Sequence, residues 1–132
     1  MLGKKIKNFT FAAYNPVKDC FEEHCLAEYG YDQKWLVLFF YPADFTFICP
    51  TELADMAAHY GQLQRLGVEV ISVSTDSKYS HLAWCRAEAL LGQVPFLMAS
   101  DPTGAMAGFF GMTVKRSGGV FRYGHATNRA AV

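Results

Sequence analysis

Residues 35–41, Trp-Leu-Val-Leu-Phe-Phe-Tyr, are continuously apolar and stop at Pro42. A run this short falls well below the roughly 20 apolar residues that a membrane-spanning helix needs. Its aromatic and branched side chains fit a strand covered on both faces. Residues 50–66 follow with a helical pattern, in which Pro50 suits the first turn and Gly67 the stop. Residues 68–74, Val-Glu-Val-Ile-Ser-Val-Ser, read as a second strand. Strand, helix and strand at this spacing predict a βαβ unit, with parallel strands joined by a right-handed crossover. A chain holding such a unit belongs to the α/β class.

The remaining segments fit around that unit. Residues 9–16 predict a short strand ending at a turn. Residues 75–92 predict a second helix, capped by Asp76 or Ser77. Residues 94–100 are a third strand, and 101–111 open on an Asp-Pro turn and carry a short helix. Residues 113–125 predict a hairpin around Gly118 and Gly119. Cys20 and Cys25 fall in an expected N-terminal loop or short helix. With no repeat, low-complexity tract or linker, residues 1–132 read as one domain. The expected architecture is a mixed sheet flanked by helices, of which a thioredoxin-like arrangement is one example.

Charge narrows the function classes. Lys plus Arg equal Asp plus Glu at 12 each, so no net field draws in nucleic acid or anionic lipid. The N-terminal lysines are not followed by the apolar segment of a secretory signal, so a cytoplasmic setting is expected. The four cysteines, Cys20, Cys25, Cys49 and Cys85, have irregular spacing. In a reducing compartment that pattern favours redox or catalytic use over a disulfide framework.

Cys49 lies where the connection from the first core strand enters the first helix. Unpaired backbone N–H groups and the macrodipole favour a thiolate there. Thiols so placed have pKa values of about 3.5–7.5, against about 8.5 for a free cysteine. Thr46 offers a hydroxyl to a thiolate or a bound oxygen, Pro42 shields the position from water, and Pro50 stiffens the helix entrance. The competing reading is an inert buried cysteine. No second cysteine gives a C-x-x-C pair. His59 is ten residues along the helix, and His81 and His125 have no assigned place, so a papain-like site fits poorly. Residues 20–25, Cys-Phe-Glu-Glu-His-Cys, offer three metal-ligand types around His24 but no fourth, which is weak for zinc.

The segment Tyr-Pro-Ala-Asp-Phe-Thr-Phe-Ile-Cys-Pro-Thr-Glu, residues 41–52, resembles the active-site segment of the peroxiredoxins, with Pro42, Thr46 and Cys49 at the signature positions. The nearest likeness is to the alkyl hydroperoxide reductase C and thioredoxin peroxidase group. Residues 3–16, 70–84 and 95–112 are also similar to that group. The resemblance implies a thioredoxin-like fold and reduction of hydrogen peroxide or organic hydroperoxides without metal, haem or flavin. It makes Cys49 the peroxidatic cysteine, passing through a sulfenic acid. It gives Arg122 the role of a fixed donor to thiolate and peroxide oxygen, ahead of Arg116 and Arg129, with Glu52 helping to hold it. A thioredoxin-like or other thiol reductant is the implied partner, and a homodimer is kept open.

The sequence also departs from that pattern. Relatives continue past the Arg122 position with further strands and a long helix, which are expected to be missing here, so their edge-to-edge dimer is not expected. The usual C-terminal Val-Cys-Pro resolving motif is absent. Cys85 resembles the resolving cysteine on the third helix of another thiol peroxidase branch, with Cys20 and Cys25 as alternatives. Trp84 reads as packing. The alternative to a peroxidase is a non-catalytic, redox-responsive interaction module.

Overall fold

A computed structural model describes residues 6–30, 35–41, 44–45, 49–115 and 121–123. Strand β1 (Thr10–Asn15) turns into β2 (Cys20–Cys25), followed by a short helix α1 (Ala27–Gly30). Strand β3 (Trp35–Phe40), helix α2 (Cys49–Arg65) and strand β4 (Val68–Ser74) form the expected βαβ unit. Helix α3 (Lys78–Ala87) and strand β5 (Leu97–Ser100) come next, and helix α4 (Ala105–Phe109) follows. Strands β6 (Thr113–Lys115) and β7 (Phe121–Tyr123) pair antiparallel, as the hairpin reading expects. The tip of that hairpin, with Gly118 and Gly119, lies outside the described residues.

The main sheet runs β2-β1-β5-β4-β3. Strands β3, β4 and β5 are parallel, and β1 is antiparallel to both of its neighbours. This mixed sheet is the expected fold class. Period-2 alternation explains the continuous apolar run. Leu36, Leu38 and Phe40 face one core, together with Ile71, Val73, Ala99 and α4. Val37 and Phe39 pack on the opposite core beneath α2 and α3. Helix α2 turns Leu53, Met56, Ala57, Tyr60 and Leu63 toward that second core, the spacing of a single helical stripe. Gly67 ends the helix at φ 76°, a left-handed conformation suited to glycine.

Three boundaries differ from the sequence reading. Cys20–Cys25 is a strand, not a loop or helix. Its polar centre, Glu22, Glu23 and His24, masks any apolar period, and full pairing with β1 supplies the order instead. The turn expected at the end of residues 9–16 leads into this strand, and the Asn15 Oδ1 closes it by accepting from the N–H groups of Val17 and Lys18. Helix α3 stops at Ala87 because Glu88 is extended (φ −103°, ψ 114°), and Ala89–Leu91 forms a separate 3-10 turn that buries Leu91. Strand β5 begins at Leu97. Val94 and Phe96 are buried without joining the ladder, and Pro95 between them has no N–H to give.

His24 fastens the outer hairpin to α1. Its Nε2 lies 2.7 Å from Glu22 Oε1 and its Nδ1 lies 2.8 Å from Glu28 Oε2. Burial alone lowers the His24 pKa, but the hydrogen bonds its ring donates to the Glu28 and Glu22 carboxylates outweigh it and hold the value above the ordinary one. A raised histidine contributes stability that is complete below its unfolded pKa of about 6.5 and is lost as pH rises through the folded value. The two glutamates run oppositely. Hydrogen bonding to His24, foremost, lowers both, so their contribution is lost as pH falls through the carboxylate range. The thermal midpoint should therefore fall on the alkaline side of about 6.5, and His24→Gln should flatten that limb. An NMR titration placing the ring at or below about 6.5 would contradict this account.

Candidate active site

The connection from β3 to α2 leaves the sheet at the C-terminal ends of the parallel strands, where open α/β sheets place their sites. Tyr41 ends the β3 side, its N–H donating to the Val73 carbonyl at 3.1 Å. Its hydroxyl is fully buried and donates to Asp44 Oδ1 at 2.6 Å. Burial first, then the charge and hydrogen bond of Asp44, keep the Tyr41 pKa well above its ordinary value, so the phenol stays a donor. Asp44 Oδ2 meets His81 Nδ1 at 2.7 Å, and both side chains are wholly buried. The Asp44 N–H donates to Asp76 Oδ2 at 2.8 Å, and the Ser74 hydroxyl donates to the same oxygen at 2.8 Å. The end of β4, the start of α3 and the connection are thereby tied at one residue.

The next residue carries backbone strain. Phe45 has φ 59°, a left-handed conformation costing a non-glycine residue about 1–3 kcal/mol. Phe45 is 58% exposed, and its ring lies against Trp84 with centroids 6.2 Å apart. Trp84 is buried and also faces Tyr41, at 5.7 Å. The chain enters α2 at Cys49, the first helical residue, and Glu52 stands half-buried in the same first turn. Cys49 therefore has the helix-start position expected from the sequence.

A family model described as the AhpC/TSA family matches residues 2–129. The chain belongs to the AhpC/TSA family. The alkyl hydroperoxide reductase C of Salmonella typhimurium is 45% identical over 106 residues, which are 80% of this chain and 54% of that protein. The protein of the same name from Staphylococcus epidermidis is 40% identical over 118 residues, 89% of this chain and 61% of its own length. The crystal structure of Enterococcus faecalis AhpC superposes with a TM-score of 0.80 at 41% identity, covering 91% of this chain and 68% of that one. The mitochondrial 2-cys peroxiredoxin of Plasmodium falciparum gives a TM-score of 0.78 at 31% identity, covering 92% and 71%. The chain thus spans about half the length of the curated relatives, 54% for the Salmonella protein.

Within this AhpC/TSA-family chain the predicted site residues fall as follows. Pro42 and Thr46 lie outside the described residues, as do the side chain of Cys49 and the residues Arg116, His125 and Arg129. Arg122 sits on β7 opposite Val114, with its side chain outside the described set. Cys85 is on α3 among the second core, its thiol 3.3 Å from the Met98 sulfur. Burial, and to a lesser degree the Asp44 charge, push its pKa up to about 12. In this conformation Cys85 is a poor nucleophile.

Cys20 and Cys25 stand at opposite ends of β2, five residues apart. They point to opposite faces and are separated by about 17 Å at the usual strand rise, beyond the roughly 7 Å Cα limit for a disulfide. Burial and a hydrogen bond to Glu22 raise the Cys20 pKa. His24 spends both ring nitrogens on carboxylates, and among the described residues no group of three or more His, Cys, Asp or Glu is arranged to hold a metal ion. His59 lies exposed on α2 against the Asp55 carbonyl. Among the described residues no helix is long and apolar enough to cross a membrane.

Sequence reasoning missed Tyr41, Asp44, Asp76 and His81 as members of the site's framework. A partial signal exists for His81. With Ser77 as the N-cap, residues 81, 84 and 85 share one helix face, and Trp84 marks that face as inward.

Proposed function

We propose that this chain is a thiol-dependent peroxidase acting on hydrogen peroxide and organic hydroperoxides. The observation that carries the reading is Cys49 as the first residue of α2, within a segment matching the peroxiredoxin signature. The Cys49 thiolate attacks the terminal peroxide oxygen. The S–O bond forms as the O–O bond breaks, sulfur supplies the electron pair, and the departing alkoxide or hydroxide takes a proton. Cys49 becomes a sulfenic acid and the product is an alcohol or water. Thr46 and Arg122 are proposed as the donors that align thiolate and peroxide, and Pro42 as the shield against water. A preorganised donor acts where charge develops on the leaving oxygen.

For the second half of the cycle, the Cys85 thiol attacks the sulfenic sulfur, an S–S bond forms and water leaves. A thioredoxin-like dithiol then reduces the disulfide by exchange. The burial of Cys85 against Met98 means that α3 must loosen before this attack. The same burial favours a second reading, in which an external thiol reduces the sulfenic acid directly.

One equivalent of hydrogen peroxide should lower the intact mass by two hydrogens, and peptide mapping should join the segments carrying Cys49 and Cys85. A sulfenic acid persisting on Cys49 would instead support the external-thiol route. An unmodified Cys49, with no peroxide consumed in the presence of a dithiol, would leave the non-catalytic module as the better account.

A further inference from the structure

The bonds around Asp44 form a continuous path from the middle of the sheet to the connection that carries Thr46 and Cys49. His81 Nε2 lies 3.0 Å from the Ala99 carbonyl on β5. A carbonyl only accepts, so Nε2 holds a proton and donates. One further proton then lies between His81 Nδ1 and Asp44 Oδ2, 2.7 Å apart. The Tyr41 hydroxyl occupies the other carboxylate oxygen and also approaches His81 Nδ1, at 3.3 Å. His81, Tyr41 and the Asp44 side chain are all out of contact with solvent. The imidazole is therefore a rigid strut with two fixed ends, one on β5 and one on the connection. Immediately after Asp44 the backbone takes the left-handed Phe45 conformation, which persists only where surrounding contacts over-determine it.

None of the chemistry above uses His81. We propose that His81 is a positioning residue for the Cys49 reaction, holding through Asp44 the connection that leads from β3 to Cys49 at the start of α2. The proposal rests on the thiol-peroxidase reading. Holding reacting groups in productive geometry is worth orders of magnitude in rate, and it depends on neighbours whose own rotamers are locked. A strut of this kind affects alignment of peroxide with its donors far more than the existence of the thiolate.

Two reactions of Cys49 separate those effects. Iodoacetamide alkylation needs an accessible thiolate alone. Oxidation by hydrogen peroxide also needs aligned donors on the leaving oxygen. Both rates are read on the peptide carrying Cys49, with dimedone trapping the sulfenic acid, in full-length protein whose fold is checked by circular dichroism. The ratio of peroxide rate to alkylation rate should fall about tenfold or more in His81→Leu, which leaves Asp44 without its imidazole partner. His81→Asn, whose amide can donate from about the Nδ1 position, should stay within about threefold of wild type. If His81→Leu does not fold, Tyr41→Phe takes its place. It removes one donor to Asp44 without adding a charge, and should lower the ratio at least about threefold.

An unchanged ratio in folded His81→Leu, or in Tyr41→Phe where that variant is the one that folds, overturns the positioning role. So does a ratio in His81→Asn as low as in His81→Leu. A purely structural role would scale both rates with the folded fraction and leave the ratio alone. A wild-type protein whose Cys49 alkylates but does not react with peroxide overturns the peroxidase reading along with this one, whereas peroxide reactivity with an invariant ratio overturns this one only.

Discussion

Cys49→Ser should abolish peroxide consumption, whereas Cys20→Ser and Cys25→Ser should keep most of it. Serine preserves the shape of the first helical residue but offers no anion at neutral pH. A helix macrodipole lowers the cost of a negative charge at its N-terminal end, where Cys49 opens α2, and each pKa unit gained is worth about 1.4 kcal/mol. None of the described thiols, those of Cys20, Cys25 and Cys85, stands at a helix start of that kind. Burial and Glu22 push the Cys20 pKa up, Cys85 is pushed up to about 12, and Cys25 closes an edge strand at the outer end of the sheet. Peroxide loss is followed by direct assay with a dithiol reductant present. Full activity in Cys49→Ser would remove the peroxidase assignment, and a comparable loss in Cys20→Ser or Cys25→Ser would move part of the chemistry to β2.

What could be read from the sequence follows from where the stabilising partner lies. The βαβ unit was legible because its signals are local. A continuous apolar run, one helical stripe over Leu53, Met56, Ala57, Tyr60 and Leu63, and a stop at Gly67 all act within a few residues. The strand over Cys20–Cys25 was not, because its order comes from pairing with β1 and from the Glu22–His24–Glu28 contacts, which no period reveals. The end of α3 was missed because Glu88 leaves the helix to bring Leu91 into the core, a tertiary demand that overrides a helix-compatible sequence.

The site divides in the same way. Cys49 at a strand-to-helix junction is visible from spacing alone. The Asp44–His81 contact joins positions 37 residues apart, and nothing local in either segment announces the other. Asp44 reads as a loop carboxylate, and only the fold shows that it is enclosed. Cys85 shows the reverse case. Sequence places it on a helix, while its burial beside Met98 pushes the thiol pKa up to about 12.

Trp84→Ala should cost about 3–5 kcal/mol of stability, the usual range for a buried aromatic truncated in a core. Trp84 is only 2% exposed and lies in the core shared by Leu53, Val70, Leu91, Val94, Phe96 and Met98. Surrounding side chains come from the sheet, α2 and the turn after α3, so the space cannot close by moving one element. A domain of ordinary stability has about 5–15 kcal/mol in total, so this loss takes a large share of it. With a urea m-value of about 1–3 kcal/mol/M, the unfolding midpoint should fall by 1 M or more. Fluorescence reports the change directly, because the other tryptophan, Trp35, is 74% exposed. The variant's emission should come from that solvated indole alone. Loss of Trp84 also removes the surface on which Phe45 rests and the ring facing Tyr41, at 6.2 and 5.7 Å. The strained turn beside Asp44 then has less to hold it, so the peroxide rate of the remaining folded protein should fall as well. Trp84→Phe keeps an aromatic face toward both rings and should lose less in each measurement. A midpoint shift equivalent to under about 1 kcal/mol in Trp84→Ala would mean that this indole is not the keystone of the second core.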